Sequence, residues 1–175
     1  MFQLNFYPHL DIYHTAFRAI CIGRAIPKLP VDGYRLVYFF LTFPFELKIV
    51  RMRGSKFKKL AESFEHLRPY RWAVEPSHTF LQMTEFQTVA VRALAHKAIV
   101  DREALKTEEF KLSPNFQEHP ALRSEVGSFA SARRSALDAL LEVIGEHGIS
   151  GKEGLKARSG LMPFKYDVND NAVLN

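Results

Sequence analysis

Six basic side chains, Lys48, Arg51, Arg53, Lys56, Lys58 and Lys59, fall within twelve residues that contain no Asp or Glu. Gathered on one surface, such a run can follow a phosphate backbone or meet an acidic protein face, because its positive field acts on either anion. The bland alternative is a solvated helix start flanked by a basic loop. Positive charge at a helix N-terminus opposes the macrodipole, and that small cost favours some use for the cluster. Arg133 and Arg134 make a second basic pair. They suit acids on a partner, or simple extension of their stems across apolar surface.

Other chemistry-bearing residues lead less far. His9, Asp11 and His14 are close enough to suggest metal ligands, but Asp11 is better placed as a helix N-cap, and three such ligands would need the lead-in folded back on its helix. Gly151-Lys152 resembles the end of a phosphate-binding loop, yet Glu153 replaces the required Ser or Thr and Glu146 stands where the first glycine belongs. Neither a nucleophile elbow nor an HExxH zinc motif occurs. Cys21 lies in an apolar helix, where a buried inert thiol is expected rather than a nucleophile. Glu62 and Glu65 fall on the solvent face of their helix. The expectation is a protein with no catalytic constellation, no metal and no cofactor.

The chain has 175 residues, 47% hydrophobic and 25% charged, as in an ordinary globular protein. Fifteen Phe stand out and point to an aromatic core and to surface that partners cover. The net charge of +5 is uneven. Residues 1–60 hold ten Lys/Arg against three Asp/Glu, residues 61–120 seven against nine, and the remainder seven against seven. The longest strongly apolar run, Leu36 to Phe45, is half of what a membrane-spanning helix needs. With no basic and apolar leader at Met1–Pro8 and a single cysteine, the sequence reads as cytosolic and free of internal disulfides.

The elements that must position these residues are mostly helical. Asp32–Pro44 opens with a helix-start residue, runs apolar almost all round, and closes at a proline. A helix apolar on every side belongs in a core, so this segment is expected to be the central helix. Before it, Asp11 caps a helix reaching about Ile26, with Tyr13, Ala16, Phe17 and Ile20 inward and Arg18 and Arg24 elsewhere. After it, Phe45–Met52 reads as a short strand or linker, and Ser55 caps a helix with the stripe Phe57, Leu60, Ala61, Phe64, Leu67. Tyr70–Leu81 reads as a connector. Thr84-Glu85-Phe86-Gln87 fits a capping box, predicting a helix from there to His96 with Phe86, Val89, Ala90, Ala93 and Leu94 inward. Ala98-Ile99-Val100 is a candidate strand, Ala104–Leu112 a short helix, and 121–146 the longest helix, its apolar stripe interrupted at Arg133-Arg134. A last helix, Lys152–Ser159, should stop at Gly160, with Leu161–Val168 docking as an extended segment. The expected fold class is mainly α: one compact domain over 1–175 around a buried aromatic helix, with a few short strands. Its N-terminal helical part covers about 1–112, and the long helix with its docking segment about 120–168.

Four phrases, in order along most of the chain, carry a family resemblance. They are Phe6-Tyr7-Pro8-His9-Leu10-Asp11-Ile12-Tyr13-His14-Thr15-Ala16-Phe17-Arg18; Asp32-Gly33-Tyr34-Arg35-Leu36 with its aromatic helix to Phe43-Pro44; Met83-Thr84-Glu85-Phe86-Gln87 with its helix before Ala98-Ile99-Val100-Asp101; and Gly154-Leu155-Lys156-Ala157-Arg158-Ser159-Gly160-Leu161. Together they resemble the small middle-component subunits of bacterial three-component ABC systems, the group that includes the small subunit of Lamassu-type antiviral defence. The resemblance implies a non-catalytic adaptor joining an SMC- or Rad50-like coiled-coil ATPase to an effector, often a nuclease, in a DNA-associated cytoplasmic complex.

A second reading is a winged-helix DNA-binding module, with helices at roughly 32–43, 55–66 and 84–96 followed by Ala98-Ile99-Val100 as the wing. Its recognition helix would offer only Gln87, Arg92 and Lys97 to base edges, a sparse set that favours the adaptor.

Overall fold

The computed structural model describes residues 11–52, 55–69, 75–114, 116 and 120–162, without the side chains of Ser55 and Lys56. The protein is mainly helical, with a two-stranded sheet and a buried aromatic core. Its chain divides into two compact units, each assembled from separated stretches: Met1–Tyr38 with Leu81–Ala132, and Phe39–Phe80 with Arg133–Asn175.

The helix α2 spans Val31–Thr42 and is the central helix that its composition requires. Leu36, Val37, Tyr38, Phe39, Phe40 and Leu41 are each 0% exposed. Burial of each such side chain is worth about 1.5–3 kcal/mol against leaving it in water. Asp32 is not the cap that was expected. It lies inside the first turn, where its carboxylate favours the helix N-terminus and meets Arg35 at 3.5 Å. Phe43 closes the helix, its N–H donating to the Phe39 carbonyl at 2.9 Å, and Pro44 prevents continuation.

In the first unit, α1 (Ile12–Ala25) is capped by Asp11, whose Oδ1 accepts from the His14 amide at 2.9 Å. The expected inward stripe holds at Ile20, which is buried, but not at Tyr13, which is 79% exposed; Thr15, Arg18, Ala19 and Ile22 are buried as well. Two polar residues are among them because they meet the Tyr38 hydroxyl: Thr15 Oγ1 at 2.9 Å and Arg18 Nη1, which donates to it, at 2.8 Å. The Arg18 guanidinium also lies over the Tyr38 and Phe129 rings, where α1 packs on α6 (Pro120–Ala132). Gly23 lets α1 approach Leu112, since a Cβ there would stand 2.7 Å from the Leu112 Cγ. Strand β1 (Leu29–Pro30) pairs antiparallel with β2 (Glu109–Phe110), Leu29 opposite Phe110. Tyr34 stacks on Phe110 with ring centroids 4.2 Å apart, and burial pushes its phenol well above the usual range.

The helix α4 runs Pro76–His96, so it begins eight residues before the capping box that the sequence suggests. The true start is Glu75-Pro76. Proline suits the first helical position, and the Glu75 carboxylate accepts from the Ser77 and His78 amides at 3.2 and 2.9 Å and from the Ser77 hydroxyl. Thr84 is then an interior residue of the helix, its carbonyl accepting from the Thr88 hydroxyl at 2.8 Å. The inward face is Met83, Gln87, Ala90, Val91 and Leu94, while Val89 is 50% exposed and Ala93 is also outside. Those Ser77 and His78 hydrogen bonds hold the Glu75 carboxyl below its ordinary range, the Ser77 hydroxyl contributing most. A depressed folded-state pKa gives stability that is whole above the ordinary carboxylate range and is lost as pH falls through the folded value. Glu75→Gln is therefore expected to lower Tm at neutral pH and to flatten its decline between about pH 5 and pH 3, checked by thermal melts across that range.

At the other end of α4, the Ile99 amide donates to Leu94 and the Ala98 amide to Ala95, at 2.9 and 3.1 Å. This is the Schellman pattern, with alanine where glycine is usual: Ala98 has φ 54°. Arg102 adds a cation at this terminus, donating to the Ala95 and His96 carbonyls. Ala98→Gly is expected to stabilise the protein by about 0.5–1 kcal/mol in urea unfolding, because glycine adopts that backbone without the Cβ penalty. The left-handed turn also accounts for the missing strand, since among the described residues this stretch gives only the bridge Val100–Leu112. Helix α5 is Arg102–Lys106, capped by Asp101, and the helix expected over 104–112 gives way after Lys106 to a turn and then to β2.

In the second unit, Phe39 packs edge-on against Phe40, Phe43 and Phe80, centroids 5.3, 5.5 and 5.7 Å apart. The stretch expected as strand or linker is a 3-10 helix, Pro44–Ile49, because Pro44 starts a turn that buries Phe45 and Leu47 together. Helix α3 (Ser55–Glu62) packs on it through Ala61 and is followed by a 3-10 turn at Glu65–Leu67. Leu67, expected on the apolar stripe, is exposed because the helix has already ended. The helix expected over 121–146 is two helices: α6 ends at Ala132 and α7 spans Arg134–His147, with Arg133 between them at φ −115°, ψ 11°. Helix α8 (Leu155–Ser159) ends at the left-handed Gly160, as its sequence predicts.

Candidate functional site

The basic cluster belongs to the second unit, and the structure sorts its members by what each side chain meets. Lys48 follows the buried Glu46 and Leu47 on the 3-10 helix, and its Nζ lies 3.5 Å from Glu65. Glu65 is shared. Arg68 forks onto it through Nε and Nη2, sits 3.7 Å from Glu46 and lies over the Phe45 ring. Hydrogen bonding from Arg68, then its charge and that of Lys48, holds the Glu65 carboxyl below its usual range. Lys48 is thus half of an internal ion pair.

Arg51 is exposed, and its backbone is fastened to α8. Its N–H donates to the Arg158 carbonyl at 3.0 Å, and its own carbonyl accepts from Arg158 Nη1 at 2.6 Å. Arg158 also donates to the Glu153 carbonyl at 2.7 Å and pairs with the Glu153 carboxylate. Arg53 and the Lys56 side chain lie outside the described residues. Lys58 and Lys59 project from the outer face of α3, beside Glu62. Among the described residues, Arg51, Lys58 and Lys59 meet no carboxylate at ion-pair distance, whereas Lys48, Arg68, Arg134 and Arg158 each do.

The pair Arg133 and Arg134 is divided. Arg133 occupies the helix break and is partly covered, while Arg134 is satisfied by Asp138 one turn on, with Nε 3.1 Å from both oxygens. Cys21 is 2% exposed, and burial raises its thiol pKa, as suits an inert core residue. Asp11 serves as the cap, and His9 lies outside the described residues. Gly151 adopts a left-handed turn at φ 85° before α8. Among the described residues no three His, Cys, Asp or Glu side chains gather as a metal site. No helix there is long and apolar enough to cross a membrane. Sequence reasoning missed Arg158 as the anchor of Arg51, since 107 positions separate them and no local pattern announces the contact.

These features define a mainly helical protein with an aromatic core and charged outer surfaces. The chain matches the family of the ABC-three component (ABC-3C) system Middle Component 5 over residues 4–167, and it belongs to that family. No curated protein matches it. No solved structure matches it either.

Proposed function

We propose that this chain is a non-catalytic adaptor that joins an SMC- or Rad50-like ATPase to an effector, of nuclease type, in a Lamassu-like defence complex of the cytoplasm. It holds the two in an inactive assembly and releases the effector when the ATPase senses DNA. The observation that carries this reading is membership, over nearly the whole chain, in a family of middle components of three-component systems. Exposed Tyr13, Leu81 and Val89 support it, because aromatic and aliphatic side chains left in water suit burial against a protein.

The winged-helix alternative is weakened at its recognition helix. Gln87 is 1% exposed and so cannot reach a base edge, which leaves Arg92 and Lys97. The test is co-expression of the tagged chain with the other two components of its system. Recovery of all three together, and separation of ATPase from effector when this chain is omitted, is the expected result. Association of ATPase and effector without it would overturn the adaptor role.

A further inference from the structure

We propose that Arg51, Lys58 and Lys59 form a contact for the sugar–phosphate backbone of duplex nucleic acid. The inference goes beyond the adaptor reading and does not depend on it. Three observations carry it. The first is incomplete neutralisation: among the described residues of the second unit, Lys48, Arg68, Arg134 and Arg158 meet carboxylates of the same unit, whereas Arg51, Lys58, Lys59 and Lys152 do not, and the first three of these fall between residues 51 and 59. Glu62 is the one acid beside the two lysines on the outer face of α3, so a net positive charge remains there.

The second is the character of the surface. Among the described residues the exposed large apolar side chains are Ile12, Tyr13, Leu67, Leu81, Val89 and Leu141, and none falls between Pro44 and Glu62. A protein interface has an apolar centre, whereas phosphate contacts need only positioned cations and donors. That difference favours nucleic acid over an acidic protein. The third is support. Arg51 is held through both of its backbone polar groups by Arg158, and α3 is packed down on the 3-10 helix, so the cations start from fixed backbone. Contacts to phosphate oxygens carry no sequence information, so binding through them follows charge and is indifferent to sequence.

The experiment uses the full chain and a short fluorescein-labelled duplex of random sequence, with anisotropy read from about 50 mM salt upward. Salt-dependent binding is expected. Lys58→Gln/Lys59→Gln should weaken it roughly fivefold or more and reduce the log–log salt slope by about two, with an unchanged Tm. The control, Lys28→Gln/Lys106→Gln, removes the same charge from cations that already have carboxylate partners, and should change affinity less. Absence of binding at low salt, or equal loss in both variants, overturns the proposal. So does a Lys58→Gln/Lys59→Gln protein that binds the duplex normally but no longer retains a protein component, which would make this face a protein contact.

Discussion

Phe39→Ala is expected to destabilise the protein by about 3–5 kcal/mol, a large share of what holds a protein of this size together. Phe39 is 0% exposed and meets Phe40, Phe43 and Phe80 edge-to-face, so its removal opens a cavity and ends three aromatic contacts together. Phe43 closes α2 and Phe80 lies in the first turns of α4, so the loss reaches both elements. Urea unfolding measures it, with Val89→Ala as the comparison. Val89 is half exposed and should change stability by no more than about 0.5 kcal/mol. Equal effects from the two would mean that α2 is not the core of this fold.

Gly154→Ala should have the second-largest effect, about 2–4 kcal/mol, for a different reason. A Cβ at this position would stand 2.3 Å from the Ser150 carbonyl oxygen and 2.5 Å from that of Ile149, and both belong to backbone. The turn is closed by Leu155 and Lys156 amides donating to Gly148 and Ile149, so it cannot yield without breaking those bonds. Helix α8 would shift, and the Arg158 clasp on Arg51 with it. Loss of hydrogen-exchange protection at the Arg51 amide, alongside the lower unfolding midpoint, is the expected signature. An unchanged Arg51 amide in a destabilised protein would mean that the clasp does not depend on the turn.

What could be read beforehand follows from how local each cause is. The burial of Leu36–Leu41, the Asp11 cap, the stop at Pro44 and the left-handed Gly160 are set by residues within a turn of one another, and all four stand in the structure. The inward face of α1 is only partly legible, at Ile20, because Arg18 and Thr15 look like surface residues until Tyr38 supplies their partner. The start of α4 is hidden by a capping-box pattern at Thr84, although Glu75-Pro76 has the better chemistry for a first turn. The break at Arg133 has no glycine or proline to mark it. As for the basic cluster, its charge was legible, but which cations keep their charge to themselves depends on Glu65, Asp138 and Glu153, and that only the folded chain decides.

The interleaving of the two units bears on biosynthesis. A nascent chain that has emerged as far as Ala132 holds every residue of the first unit but only Phe39–Phe80 of the second. Until α7 and α8 leave the ribosome, the aromatic side chains of the second unit lack the rest of their core, and Arg51 has no Arg158 to clasp it. This late closure exposes apolar surface during translation, when non-local contacts have yet to form. Fragments cut at residue 132 are accordingly poor substitutes for the whole protein.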